Sequence, residues 1–250
     1  MVFRQPAPAE GDLLCESCGY ILNGLDASAR SGNCPECGEP LSTSVDPSVR
    51  KPAPIETAWT AATFWRTTFS VLLRKRKFFR ETATRRVDAA VRRFGFWHRA
   101  IAGTLFGLAA AIHLAYTAET QLWVTRWNAF SISIIGLSSL VLIVCSILLL
   151  TYVTWLAVWM TTKESKWWGM RLPEPVLTRA MDFHAANYLP VGVAALTVTG
   201  GYRLLYELDL ISPFAAVPYL LLLSALVVVA AFWLFESFVI AMRRIRYANF

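Results

Sequence analysis

The spacing of charges along this chain limits its fold more than any other feature. Residues 100–118, 127–162, 183–202 and 210–235 contain no Asp, Glu, Lys or Arg, whereas residues 1–99 hold 15 of the 24 Lys and Arg residues. A helix crossing the roughly 30 Å hydrocarbon layer needs about 20 apolar residues at a rise of about 1.5 Å each. The uncharged stretches reach that length, so spans are expected near residues 100–118, 129–160, 183–203 and 213–240. The second stretch is slightly short for two spans joined by a turn and contains no Pro, which favours one tilted helix. The third is the least apolar, diluted by His184, Asn187, Pro190 and Gly200-Gly201. With 56% apolar residues, 16% charged residues and a mean hydropathy of +0.45, a soluble globule, a secreted disulfide scaffold and a disordered tail are excluded.

Orientation follows from Lys and Arg near the span ends, which are retained on the cytoplasmic side. Ten basic residues lie between Arg74 and Arg99, the middle loop carries Lys163, Lys166, Arg171 and Arg179, and the C-terminal tail carries Arg243, Arg244 and Arg246. The intervening loops offer only Arg126 on one side, and Glu207 and Asp209 with Arg203 at the edge on the other. Both termini are therefore expected in the cytoplasm, with the chain in the cell (inner) membrane. Trp97, Trp123, Trp127, Trp155, Trp159, Trp167 and Trp168 fall where headgroups should be. The first fourteen residues lack an apolar core and do not resemble a cleaved signal peptide.

The clearest chemistry lies in residues 12–41. Cys15-Glu16-Ser17-Cys18-Gly19 and Cys34-Pro35-Glu36-Cys37-Gly38 are two Cys-x-x-Cys-Gly knuckles with fifteen residues between them, the spacing of a tetrahedral four-thiolate site. Two residues between thiols let one tight turn present both sulfurs to one ion, and Gly after the second Cys takes the positive φ that aims amides at sulfur. Zn2+ is the expected metal, in a small β zinc ribbon; iron in a rubredoxin-like site uses the same ligands. Disulfides are disfavoured in a reducing cytoplasm. Four protein thiolates leave no open position, so the metal is structural, and about thirty residues need it to fold. Asp12, Glu16, Asp26, Glu36 and Glu39 against Arg30 make the segment acidic, which disfavours nucleic acid and leaves a protein partner as the expected contact. Cys145, inside the second span, is expected to be a small buried hydrophobe.

Residues 42–58, with Pro47, Pro52 and Pro54, suggest a linker. Residues 59–99 suggest a basic, amphipathic interfacial region: Trp65, Phe69, Leu72, Leu73 and Phe79 recur at three- and four-residue steps beside Arg74, Lys75, Arg76 and Lys77. Such cations meet anionic lipid headgroups or simply set orientation. The domain plan is thus a zinc ribbon (12–41), a linker (42–58), an interfacial region (59–99) and an all-α polytopic membrane domain of about four helices (100–242).

The Cys15-to-Leu25 stretch, Cys-x-x-Cys-Gly-Tyr-x-Leu-x-Gly-Leu, followed by Cys34-Pro35-Glu36-Cys37-Gly38-Glu39-Pro40-Leu41 and a multi-pass region, resembles uncharacterised bacterial zinc-ribbon membrane proteins. Trp65 to Phe79 and Val176 to Pro190 make residues 59–240 similar to the Yip (Ypt-interacting protein) type of membrane domain. Two features depart from that pattern: the Yip type usually has Pro near Arg76, and often has five spans. The resemblance implies a membrane-organising or trafficking adaptor with no catalytic residues. Ionisable groups within spans point to function, and only His113, His184 and Glu236 qualify, the last two at similar depth. No nucleophile–base set, His-x-x-x-His, phosphate-binding glycine loop or repeat of the spans is present. The expected function is a non-enzymatic membrane adaptor, with a small-solute or ion pathway as the alternative.

Overall fold

The computed structural model describes residues 12–25, 32–46, 50–82, 88–121, 129–211, 216–247 and 249. Arg85, Arg86, Trp123, Arg126, Trp127 and Pro213 lie outside the described residues. The elements in order are α1 (Ser42–Val45), α2 (Pro54–Thr57), α3 (Ala61–Leu73), α4 (Lys75–Glu81), α5 (Ala89–Gln121), α6 (Ala129–Trp167), α7 (Glu174–His184), a 3-10 turn (Ala185–Asn187), α8 (Tyr188–Glu207) and α9 (Ala216–Ile245).

Two expectations are corrected. The first concerns the β ribbon: no strand occurs among the described residues, and the cysteine segment contains only the isolated bridges Leu14↔Ile21 and Asn33↔Pro40. Each knuckle turns back so tightly around its cysteines that one residue pair per arm meets across it, too few for a ladder. The second concerns the number of spans. Three described helices are long and apolar enough to cross a membrane, Ala89–Glu119, Ser133–Trp167 and Val217–Ile245. The stretch expected at 183–203 is divided instead. α7 begins on Pro173 and Pro175 and ends at His184, the 3-10 turn intervenes, and α8 follows. The polar residues Arg179, Asp182, His184 and Asn187 are buried around that break, so residues 179–187 form a protein-packed joint and not part of one continuous apolar rod.

Boundaries elsewhere have local causes. α5 starts eleven residues before the uncharged stretch because the Asp88 carboxylate accepts from the Val91 amide at 2.8 Å, capping the first turn. α6 is one continuous helix, closed by Gly169 at φ +65°. None of its apolar window is buried inside the protein, the condition of a lipid-facing helix. The interfacial helix expected through residues 59–80 breaks at Arg74 into α3 and α4. Trp65, Phe69 and Leu73 remain exposed, but Phe78 and Phe79 turn into a protein core.

The chain divides into two compact units. Unit 1 comprises residues 1–95, 154–186 and 236–250, and unit 2 comprises 96–153 and 187–235. The core of unit 1 gathers around α7: Val176, Leu177, Met181 and Phe183 pack with Ile55, Val71, Phe78, Val91, Phe94 and Ile245. The Phe183 ring lies 5.0 Å from Phe78 and 5.7 Å from Phe94. Glu56 links α2 to α7: its carboxylate accepts from Arg179 at 2.5 and 2.7 Å and from the Ala53 amide at 2.6 Å, with both charged side chains almost fully buried. In unit 2, Gly103 and Gly107 of α5 let the backbone of α6 approach: a Cβ there would lie 2.8 Å from Ile147 Cα and 2.4 Å from Ile143 Cα, respectively. This small-xxx-small spacing is the usual device for close helix contact in lipid.

Candidate metal centre and its surroundings

The two knuckles are copies in a nineteen-residue register. Cys15 and Cys34 amides donate to Tyr20 and Glu39 carbonyls, both at 2.8 Å; Gly19 and Gly38 amides donate back to Cys15 and Cys34 carbonyls at 2.8 and 2.9 Å; Leu22 and Leu41 amides donate to Leu13 and Gly32 carbonyls at 2.7 and 3.0 Å. Gly19 and Gly38 have φ of +84° and +73°, as expected for the residue after each second cysteine. Leu14, Leu22 and Leu41 are fully buried, and Leu22 and Leu41 pack with Cys15 and Cys34 in the small core that orients the turns.

This duplication brings all four thiols together. The Sγ atoms of Cys15, Cys18, Cys34 and Cys37 lie within 4.8 Å of one another, with Cys15–Cys37 and Cys18–Cys34 at 3.7 Å. A tetrahedron with metal–sulfur bonds of about 2.3 Å has edges of about 3.8 Å, so the cluster matches a four-thiolate ion and not a pair of disulfides. All four cysteines are free. The first cysteine of each knuckle is buried and Cys37 is exposed. Burial pushes the Cys15 and Cys18 thiols up, so a bound cation has to displace their protons. Cys145 is exposed on α6, not buried within the protein.

Around the cluster, unit 1 supplies ties that the sequence did not reveal. Asn249 accepts from the Leu14 amide at 3.1 Å and donates to the carbonyls of Leu14 at 2.7 Å and Ser44 at 3.1 Å. Glu16 accepts from the Asn249 amide at 3.0 Å and pairs with Arg50, both side chains buried. Burial pushes the Glu16 carboxyl up, while Arg50 and the Asn249 amide oppose that shift. Arg171 donates to the Asp12 carbonyl and to Asn249 Oδ1, both at 2.5 Å, and Arg246 donates to the Ser17 carbonyl at 2.6 Å. The Tyr247 ring covers Gly19 so closely that a Cβ there would lie 2.7 Å from it, a second reason for glycine.

The remaining sequence candidates are placed as follows. Lys75 pairs with Glu236 at 2.8 Å and donates to Ser237 at 3.0 Å, whereas Arg74, Arg76 and Lys77 are exposed. Glu236 thus meets Lys75; His184 lies edge-on to Phe238 at 6.4 Å, and burial with the nearby Lys75 charge pushes it down to about 4. In unit 2, His113 Nδ1 is 2.8 Å from the Tyr219 hydroxyl, Tyr219 stacks on Tyr202 at 4.3 Å, and Tyr116 stands edge-on to Tyr202 and Tyr206. Arg203 pairs with Glu119 and Glu207. Nothing in the sequence pointed to this cluster, because it joins residues some 90 positions apart.

The helices and the thiol cluster together define a membrane protein with a four-cysteine site able to hold a metal ion. No protein-family model, curated protein or solved structure matches the chain.

Proposed function

We propose that this is a non-enzymatic membrane adaptor on the cytoplasmic face of the cell membrane, in which Cys15, Cys18, Cys34 and Cys37 hold one structural zinc. The observation that carries this reading is the set of bonds from the cysteine segment to Asn249 and Arg246, which makes the metal module the clasp on the last span. The four-thiolate donor set has no open coordination position and suits structure, not hydrolysis. The exposed Arg74, Arg76 and Lys77 meet anionic headgroups, and the acidic knuckles present a protein-binding face. The resemblance of residues 59–240 to the Yip type supports the same role.

The direct bond between Leu14 and Asn249 supports a shared side for residues 14 and 249, and the basic clusters support the cytoplasm as that side. Three crossings alone would separate them, and a passage of α8 through the membrane between α7 and α9, despite its more polar composition, would restore the shared side. Iron is the alternative metal with the same ligands.

The test is elemental analysis of the full chain in detergent. Near-stoichiometric zinc is expected, lost in Cys34→Ser and Cys37→Ser; absence of both zinc and iron would refute the metal. A photo-crosslinker at the exposed Glu36 should give a discrete adduct in cells that disappears in Cys34→Ser. A transport role, which the His113–Tyr219 contact favours, would instead give solute flux in liposomes that is lost in His113→Phe.

A further inference from the structure

Unit 1 contains a cavity of about 940 Å³ whose walls come from the cysteine segment, residues 50–51, α4 and the end of α9. Its lining is strongly biased in charge, with seven basic residues against three acidic ones. Two of the seven are already engaged: Arg50 by Glu16, and Arg246 by the Ser17 carbonyl and the Tyr247 ring at 5.1 Å. That leaves Lys51, Arg76, Arg80, Arg243 and Arg244 facing one space with Glu39 and Glu81. Of these carboxylates, Glu81 comes no closer than 3.8 Å to Arg80, so it neutralises the wall only weakly.

Five cations brought into one concavity from segments some 165 residues apart repel one another unless an anion joins them. Four are arginines, whose planar forks bind phosphate oxygens in pairs. The volume is that of a ligand pocket, about 300–1,000 Å³, and far exceeds a single inorganic phosphate. Arg243 and Arg244 lie in the last turn of a candidate span, which sets the cavity at headgroup depth.

From this geometry we infer a binding site for a ligand carrying more than one phosphate, clamped between the arginines of α4 and those at the end of α9. The same chemistry is offered by a polyphosphorylated lipid headgroup and by a soluble polyphosphate. The site shares Arg76 with the exposed cations of α3–α4 and joins it, in a half-open concavity, to the cysteine segment and the end of the last span.

The experiment uses the full chain in detergent. Inorganic pyrophosphate and tripolyphosphate are titrated by calorimetry, and a short-chain phosphoinositide bisphosphate by native mass spectrometry, with phosphatidylserine at matched total charge as comparison. Arg243→Gln/Arg244→Gln should weaken binding at least tenfold while zinc content and melting temperature stay at wild-type values. Arg80→Gln, an exposed position, should weaken it several-fold and serves if the double variant does not fold. Arg92→Gln/Arg93→Gln, exposed on α5 and absent from the lining, should change nothing. Binding of both free polyphosphates and lipid identifies phosphate alone as the determinant; lipid binding without polyphosphate binding assigns the site to a headgroup. Equal binding of phosphatidylserine, or equal loss in the Arg92/Arg93 variant, would show only a diffuse layer of charge and overturn the proposal, as would no phosphate binding at all.

Discussion

Several long-range bonds converge on Asn249 beside the cysteine segment. One amide side chain satisfies the Leu14 amide, the Leu14 and Ser44 carbonyls and one Arg171 guanidinium nitrogen. Asn249→Ala leaves these groups buried without that partner, a loss of about 1–3 kcal/mol for the buried set. A lower melting temperature in detergent, at unchanged zinc stoichiometry, is the expected result; no shift would mean that the tail is not docked. His184 sets a different dependence. Its folded value of about 4 lies below the ordinary 6.5, so the neutral ring stabilises the fold fully above 6.5, and that contribution is lost as pH falls from 6.5 toward 4. At about 1.36 kcal/mol per unit the effect is on the order of 3 kcal/mol. Melting temperatures at about pH 7 and pH 5 should converge in His184→Gln relative to wild type, and identical slopes would remove the histidine as the cause.

Among the elements, the contact of α5 with α6 depends on what glycine omits. Ile143 Cα would lie 2.4 Å from a Cβ at position 107, whereas Gly136 has nothing within 4 Å. Gly107→Leu therefore costs at least the 1–3 kcal/mol typical of overpacking, and Gly136→Leu should be close to neutral. Equal melting temperatures for the two variants would contradict the close approach. The elements also show which parts of the fold were legible. Uncharged runs located α5, α6 and α9, because lipid leaves a one-dimensional signature of composition. The knuckle spacing picked out the four thiols that the fold gathers, because two copies of one tight turn carry their cysteines at the same positions. The joint at 185–187 was not legible: His184 and Asn187 looked like dilution of a span, and only tertiary burial makes them the packed end of α7. Nor was the break at Arg74 legible, since the apolar period continues through it to Phe79.

For the molecule as a whole, the proposal that residues 14 and 249 share a side of the membrane is measurable as topology. Reporter fusions at Lys166 and Arg246 should be retained in the cytoplasm and one at Asp209 exported. A retained reporter at Asp209 would show that α8 does not carry the chain across. The cavity arginines were the least legible feature, because residues 76–80 and 243–244 gain meaning only once the last span returns beside α4. That return also orders events in time. The knuckles are synthesised before α5, α6 and α9, yet the residues that cover them, Arg246, Tyr247 and Asn249, are made after those helices. During synthesis the ribosome must therefore extend through α5, α6 and α9 while the Gly19 face stays bare. Closing that face has to wait for α9, and a chain in which α9 fails to insert is marked by an open, accessible cysteine module.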